Sequence, residues 1–440
     1  MARSARRPGR QAQVAGLLVA AAVVLLLACA SVGAPPGGPP DKEPPKIVAV
    51  KPESGAVVPN FHGDAVVQFD DVIDEMAGGG GGGVEGVGRL ILLSPVRGPV
   101  KVGWHRTSVS IKPKEGWKRR VYRLETLPGF SDLRRNRSDS AKTVIFSTGP
   151  EIGHARIGGI VLKWIEQSIL LHALIEAVPL PDSVGYMTFA DSGGQFNLTN
   201  LQPGRYIVYA TSDENNDRRR GLREAYDSVE VTVDSSTNVA LFAFPHDTNP
   251  PRPRAATYVD SITIRVEFSQ ALDPAKSLDT ARVHVLELPD STAVPIDRIL
   301  TERLYDSLTT AARAKADSAA AAARDTTKRA PVVHDTSARP NILPTVPPGT
   351  PVSRTPAKSA KSYVDSTLVR QLLAGRPVPS DKIVIRMVRP LKPETRYVVR
   401  ITGATNLIGK KGDGDVALTT PKPAAPRDTT HRAPSVRPPR

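Results

Sequence analysis

The chain has 440 residues and a single cysteine, Cys29, so no intrachain disulfide and no cluster of thiolate metal ligands can form. Aromatic residues are scarce at 5%, whereas proline reaches 41 copies. So few large apolar side chains imply that part of the length stays outside any packed core. The residue patterns of hydrolytic chemistry are missing as well. The eight histidines are scattered, no H-E-x-x-H occurs, and no serine sits in G-x-S-x-G. The chain is therefore read as no enzyme. What is present is positive charge, a net +15, which favours anionic surfaces. The length exceeds one core and allows roughly two to four domains.

Arg3, Arg6, Arg7 and Arg10 precede an apolar run, Val14 to Ala28, that ends in Leu26-Leu27-Ala28-Cys29. Residues 1–28 resemble a lipoprotein signal peptide, after which the Cys29 thiol takes the diacylglycerol. Two other readings stand beside it: an uncleaved membrane helix, since the run is only slightly short of a span, and a secretory peptide cut without lipid. Acylation would also remove cysteine catalysis. Ala30-Ser31, with no Asp next to the cysteine, resembles an outer-membrane sorting signal of Gram-negative lipoproteins. The expected location is the outer membrane, lipid-anchored, facing the periplasm or the cell surface. The expected partners are the membrane itself, through the N-terminal lipid, and envelope proteins or polysaccharide. Nucleic acid is set aside because the leader sends the chain out of the cytoplasm. Residues 29–45, rich in Gly and Pro, read as a flexible tether.

From 46 to 150, seven short β-type runs recur between turn signals: Ile47–Val50, Ala65–Phe69, Leu90–Leu93, Val100–Trp104, Ser108–Ile111, Val121–Leu124 and Thr143–Phe146. The marks Pro44-Pro45-Lys46-Ile47, Val66-Val67-Gln68-Phe69-Asp70, Tyr122, Pro128-Gly129-Phe130-Ser131-Asp132-Leu133 and Phe146-Ser147-Thr148 resemble the bacterial Ig-like domain of S-layer proteins. Gly78 to Gly83 departs from that pattern and reads as a mobile loop. A dinucleotide site would need a strand before these glycines and a helix after them, but Leu90–Leu93 reads as a strand.

Residues 156–245 give seven more runs, Ile160–Ile165, Ile169–Ile175, Val184–Phe189, Gln195–Leu198, Tyr206–Ala210, Val229–Val233 and Val239–Phe242. Within them G-x-F-x-L-x-x-L-x-P-G-x-Y, from Gly194 to Tyr206, resembles the signature of a prealbumin-like, carboxypeptidase-regulatory-type sandwich. It reads as a hairpin turning at Pro203-Gly204.

After a Pro-rich joint, His246 to Pro253, the marks of the first segment return within 254–420. Val266–Asp273 echoes Val67–Asp74, Tyr397 echoes Tyr122, Gly403–Leu407 echoes Gly129–Leu133, and Leu418-Thr419-Thr420 echoes Phe146-Ser147-Thr148. This reads as a second Ig-like copy, interrupted at about 301–380. Leu304, Leu308, Ala311, Ala312 and Ala316 fall at helical spacing. Arg324 to Lys361 has the composition of a disordered segment. Ser362 begins a short helix through Leu373 that Gly375 stops. Residues 421–440 read as a disordered basic tail. The fold class is thus all-β: tandem sandwiches, Ig-like, prealbumin-like and Ig-like, with a signal peptide, a helical and disordered insert and a disordered tail.

One stretch carries ligand-like chemistry. Asp213, Asn215 and Asp217, with Glu224 at the twelfth place, follow the outline of a calcium loop, in which alternate side chains supply hard oxygens. Arg218 stands where such loops carry glycine, and Arg218-Arg219-Arg220 place three cations beside it. The other reading is a solvated hairpin tip, with Asp213 and Asn215 bonding to nearby backbone. Of the three indoles, Trp104 reads as packed, Trp164 as packed or at a strand edge, and Trp117, in a turn, as exposed and available to a sugar face. The expected role is a non-catalytic structural spacer or a protein-interaction and adhesion module of the envelope. Alternatives are a carbohydrate- or peptide-binding surface lipoprotein and, more remotely, an accessory module of an envelope enzyme complex.

Overall fold

The computed structural model describes residues 41–80, 85–325 and 366–422. The leader, Cys29, most of the tether, residues 81–84, the middle of the insert (326–365, with Ser362, the expected start of its second helix) and nearly all of the basic tail lie outside the described residues. No helix among the described residues is long and apolar enough to cross a membrane. Everything that is described is dominated by β-strands, arranged as sandwiches around three separate hydrophobic cores.

The first core is enclosed by two sheets. β1 (Ile47–Lys51), β2 (Ala65–Phe69), β5 (Ser108–Pro113) and β4 (Val100–Trp104) make one, in the order β1-β2-β5-β4; β3 (Ile91–Ser94), β6 (Val121–Thr126) and β7 (Lys142–Ser147) make the other. Alternation sets the faces: Ala65, Val67 and Phe69 are buried while Val66 and Gln68 are only half-buried. β6 is buried on both faces. Tyr122 and Leu124 enter the core, while Arg123 and Glu125, also buried, face the second sandwich. Before β3 a 3-10 turn, Gly86–Leu90, takes Leu90 out of the strand expected from the sequence.

The second sandwich holds β8 (Ala155–Lys163), β9 (Ser168–Ile169), β10 (Leu174–Pro179), β11 (Tyr186–Phe189), β12 (Gln195–Leu201), β13 (Gly204–Thr211), β14 (Ala225–Val233) and β15 (Ser236–Pro245). One layer runs β11-β10-β13-β14 and the other β12-β8-β15, with the last residues of β15 crossing to pair β14. The hairpin expected at Pro203-Gly204 is not one. β12 pairs β8, while β13 pairs β10 and β14, so the chain arches from one layer to the other. Both strands still bury Phe196, Leu198, Leu201, Tyr206, Val208 and Ala210 in one core. Alternation fixes which face is buried but not which strand lies alongside. The expected run Ile169–Ile175 is also broken, by a turn in which His172 takes φ 53°.

The third sandwich holds β16 (Pro253–Asp260), β17 (Thr263–Leu272), β18 (Val283–Glu287), β19 (Thr292–Val294), β20 (Ile296–Thr301), β21 (Ser380–Met387), β22 (Arg396–Thr405) and β23 (Lys411–Thr419) in the orders β16-β17-β21-β20 and β19-β18-β22-β23. It repeats the first down to single hydrogen bonds. Lys46 N–H donates to Asp70 and Arg252 N–H to Ser269 Oγ. Asp74 N–H reaches the Ser131 carbonyl and Asp273 N–H the Thr405 carbonyl, at 2.8 and 2.9 Å. Asp132 Oδ1 accepts from the N–H groups of Arg134 and Asn136, and Asn406 Oδ1 from those of Ile408 and Lys410. The repeat also locates the insert. Where three residues join β4 to β5, the same strand pair in the third sandwich, β20 and β21, is joined through helices α1 (Glu302–Asp325) and α2 (Ser366–Ala374).

Candidate functional site

The loop after β13 is built by short side-chain bonds to its own backbone. Asp213 accepts the N–H groups of Asp217 and Arg218, each at 3.1 Å, and Asn215 Oδ1 accepts Asp217 N–H at 2.8 Å. Asp217 Oδ1 in turn accepts Arg219 N–H at 2.8 Å. Asn216 and Arg218 take φ 57° and 59°, so the bend that glycine usually makes is made here by an arginine. Glu224 is 6% exposed; its Oε2 accepts Gly221 N–H at 2.7 Å, and its Oε1 has no hydrogen-bond partner. Burial raises the Asp213 pKa above the usual carboxylate range, reinforced by Glu224 and Asp217 and opposed by the N–H bonds it accepts.

The three arginines do not fill the loop. Arg218 leaves it, and its half-buried guanidinium donates to the carbonyls of Arg89 and Ile91 on the first sandwich. Arg220 lies 3.9 Å from the centroid of the Tyr209 ring, a cation–π contact. At the chain's most concentrated ligand-like stretch, then, one side chain is an inter-sandwich latch. It does not act alone. Thr188 Oγ1 donates to Glu125 at 2.9 Å, Met187 N–H to Ser94 Oγ at 2.9 Å, and Arg97 to Ser183 Oγ at 3.0 Å. Arg123, beside Glu125 at 3.3 Å, adds to a buried polar layer between β6 and β11, and its Nη1 is left without a hydrogen-bond partner.

The structure gathers three carboxylates at a place the sequence did not single out. Asp41, Asp71 and Asp132 bring one oxygen each within 4.8 Å of one another, where the chain enters the first sandwich. Asp132 is 2% exposed. Its counterpart in the third sandwich is the amide Asn406, whose Nδ2 donates to the Asp247 carbonyl at 2.8 Å and to Gln270 Oε1 at 3.0 Å. The repeat pairs Asp132 with Asn406, which was the signal available in the sequence.

Trp104 packs against the first core and donates to the Ile73 carbonyl at 3.0 Å. Trp117 was expected to stand free and does not. It is half-buried against Phe61, Tyr122 and Phe146, and its indole N–H is spent on the Gly63 carbonyl at 2.7 Å. The exposed indole on which a sugar-stacking site rested is therefore absent at that turn. Trp164 meets Phe244 and donates to the Pro377 carbonyl at 3.1 Å.

No family model matches the chain, and no curated protein does. Among solved structures it is similar to BcpA, the major pilin subunit of Bacillus cereus, at 10% identity over 45% of this chain and 70% of that one, with a TM-score of 0.17. It is similar to the Bacillus anthracis TIE protein at 12% identity over 59% of this chain and 48% of that one, with a TM-score of 0.16. It is similar to domains 1–6 of the surface layer protein SbsC at 8% identity over 87% of this chain and 55% of that one, with a TM-score of 0.16. The all-β sandwich fold rests on this chain's own strand pairing.

Proposed function

We propose that the chain is an envelope lipoprotein, held at the outer membrane through Cys29, whose Ig-like and prealbumin-like sandwiches serve as a non-catalytic spacer or interaction module. The observation that supports this reading is the latch between the first two sandwiches. Domains joined by a linker alone move freely by default, whereas here Arg218, Thr188 and Met187 bind across the joint and bury Arg123 and Glu125. That construction suits holding a fixed distance from a membrane. The anchor is tested by radiolabelled palmitate. Label is expected on the wild-type chain and lost in Cys29→Ala; unchanged labelling would refute the anchor.

Within that role, Asp213, Asn215, Asp217 and Glu224 are proposed to take calcium weakly. Glu224 Oε1, buried and without a hydrogen-bond partner, favours it. Millimolar calcium is expected to raise the melting temperature of the wild-type chain and to leave that of Glu224→Gln in place. If the wild-type melt does not move, the metal reading is lost.

A further inference from the structure

β8 and β15 are apolar on both faces. Their inward residues, Val161, Leu241 and Ala243, enter the second core, while Ile160, Leu162 and Phe242 point outward and are nevertheless buried. An outward apolar face on a sheet must be covered. The cover comes from the insert of the third sandwich. Val369, Leu372 and Leu373 of α2, at helical spacing, pack on Ile160, Leu162 and Phe242 together with Trp164, Ile169 and Ala240. The residues just beyond the helix seal the edge. Arg376 lies 4.1 Å from the Phe242 ring centroid, and the Pro377 carbonyl accepts the Trp164 indole N–H.

We infer that the outer face of the β12-β8-β15 layer is a docking surface for a short amphipathic helix, occupied in cis by α2, and that this contact braces the second and third sandwiches against each other. Three features carry this. α2 has nine residues, too few to be stable as an isolated helix, so its fold depends on the surface it covers. Only Gly375–Pro379 separate it from β21, so docking the helix fixes where the chain re-enters the third sandwich. The covalent joint, His246 to Pro253, is a second and separate connection, and two attachments remove the swing that one would permit.

The test uses the full chain carrying Cys29→Ser in detergent, which leaves no cysteine apart from those introduced. Nitroxide labels at Asp234→Cys and Asp290→Cys, exposed on the second and third sandwiches, are read by pulsed electron resonance. One narrow distance is expected. In Leu372→Asp/Leu373→Asp the distribution should broaden about twofold, as for domains free to move, while the far-ultraviolet strand signal is kept. An unchanged narrow distribution would overturn the brace. In a second variant the segment Glu302–Pro379 is replaced by a three-residue turn like His105–Thr107. Its distribution should be broad, and a synthetic Ser366–Pro379 peptide should narrow it again. A narrow distribution without peptide, or a peptide that does not narrow it at saturation, would overturn the surface as a helix site.

Discussion

Tyr122, Tyr206 and Tyr397 are each buried with the hydroxyl turned back to backbone four or five residues upstream. Tyr206 donates to the Gln202 carbonyl at 2.7 Å; Tyr122 accepts Lys118 N–H at 2.7 Å and Tyr397 accepts Lys392 N–H at 2.8 Å. Each bond pins the chain as it crosses from one layer to the next, as in the tyrosine corner of Ig sandwiches. Tyr206→Phe is expected to cost about 1 kcal/mol, the worth of one such bond, without changing the fold; denaturant unfolding measures it. Burial, aided by Tyr186, pushes the Tyr206 phenol up to about 12. Its contribution is therefore complete below the ordinary phenol range and fades as pH rises through about 12, which an ultraviolet titration checks. At this scale the sequence was informative. Tyr206 and the repeated Tyr122 and Tyr397 were visible as marks, because a corner tyrosine needs a fixed spacing from its turn. The partners of Arg218 were not visible, since Arg89 and Ile91 are reached through their carbonyls, which no sequence pattern distinguishes.

Among the elements, the joint between the second and third sandwiches is sensitive to acid. His246 is stacked on Tyr226 at 3.7 Å and on Phe244 at 4.2 Å between ring centroids. Burial lowers its pKa, with Arg220 adding to the shift and the Phe244 carbonyl and Asp227 opposing it. A lowered imidazole is neutral in the fold and takes its proton first in the unfolded chain. Stability contributed here is present above about pH 6.5 and lost as pH falls through the lower folded value. Thermal melts of the wild-type chain should fall between neutral and mildly acid pH, and His246→Phe should flatten that slope; equal slopes would exclude the role. Strands were legible because alternation marks them. The arch between β12 and β13 was not, because a turn dipeptide between two alternating runs looks the same whether the runs pair or face each other across a core. The docking of α2 left a trace in the apolar runs Ile160-Val161-Leu162 and Leu241-Phe242-Ala243-Phe244, which are too apolar for strands wetted on one side.

For the molecule as a whole, the repeat between the first and third sandwiches shows what the architecture tolerates. A three-residue turn and a long excursion close the same strand pair, because loop length adds little closure entropy. At the joint that follows β15 the tolerance ends. A side chain at Gly412 would run into the Pro251 carbonyl, so that position accepts only glycine.

The second sandwich takes its chain in through β8 and lets it out through β15, and these two strands lie parallel, side by side, with Arg156 opposite Ser236 through to Lys163 opposite Ala243. A pull applied to the two ends of this unit would therefore draw the strands past each other along their length. The whole ladder of hydrogen bonds would bear the force at once, whereas an antiparallel terminal pair would be peeled open one bond at a time. A chain stretched end to end through its three sandwiches would have its strongest mechanical link at its centre. Single-molecule pulling through residues flanking β8 and β15 should give a high, sharp rupture force for this unit. Pulling across β13 and β14, which are antiparallel neighbours joined by a loop, should open it at a much lower one.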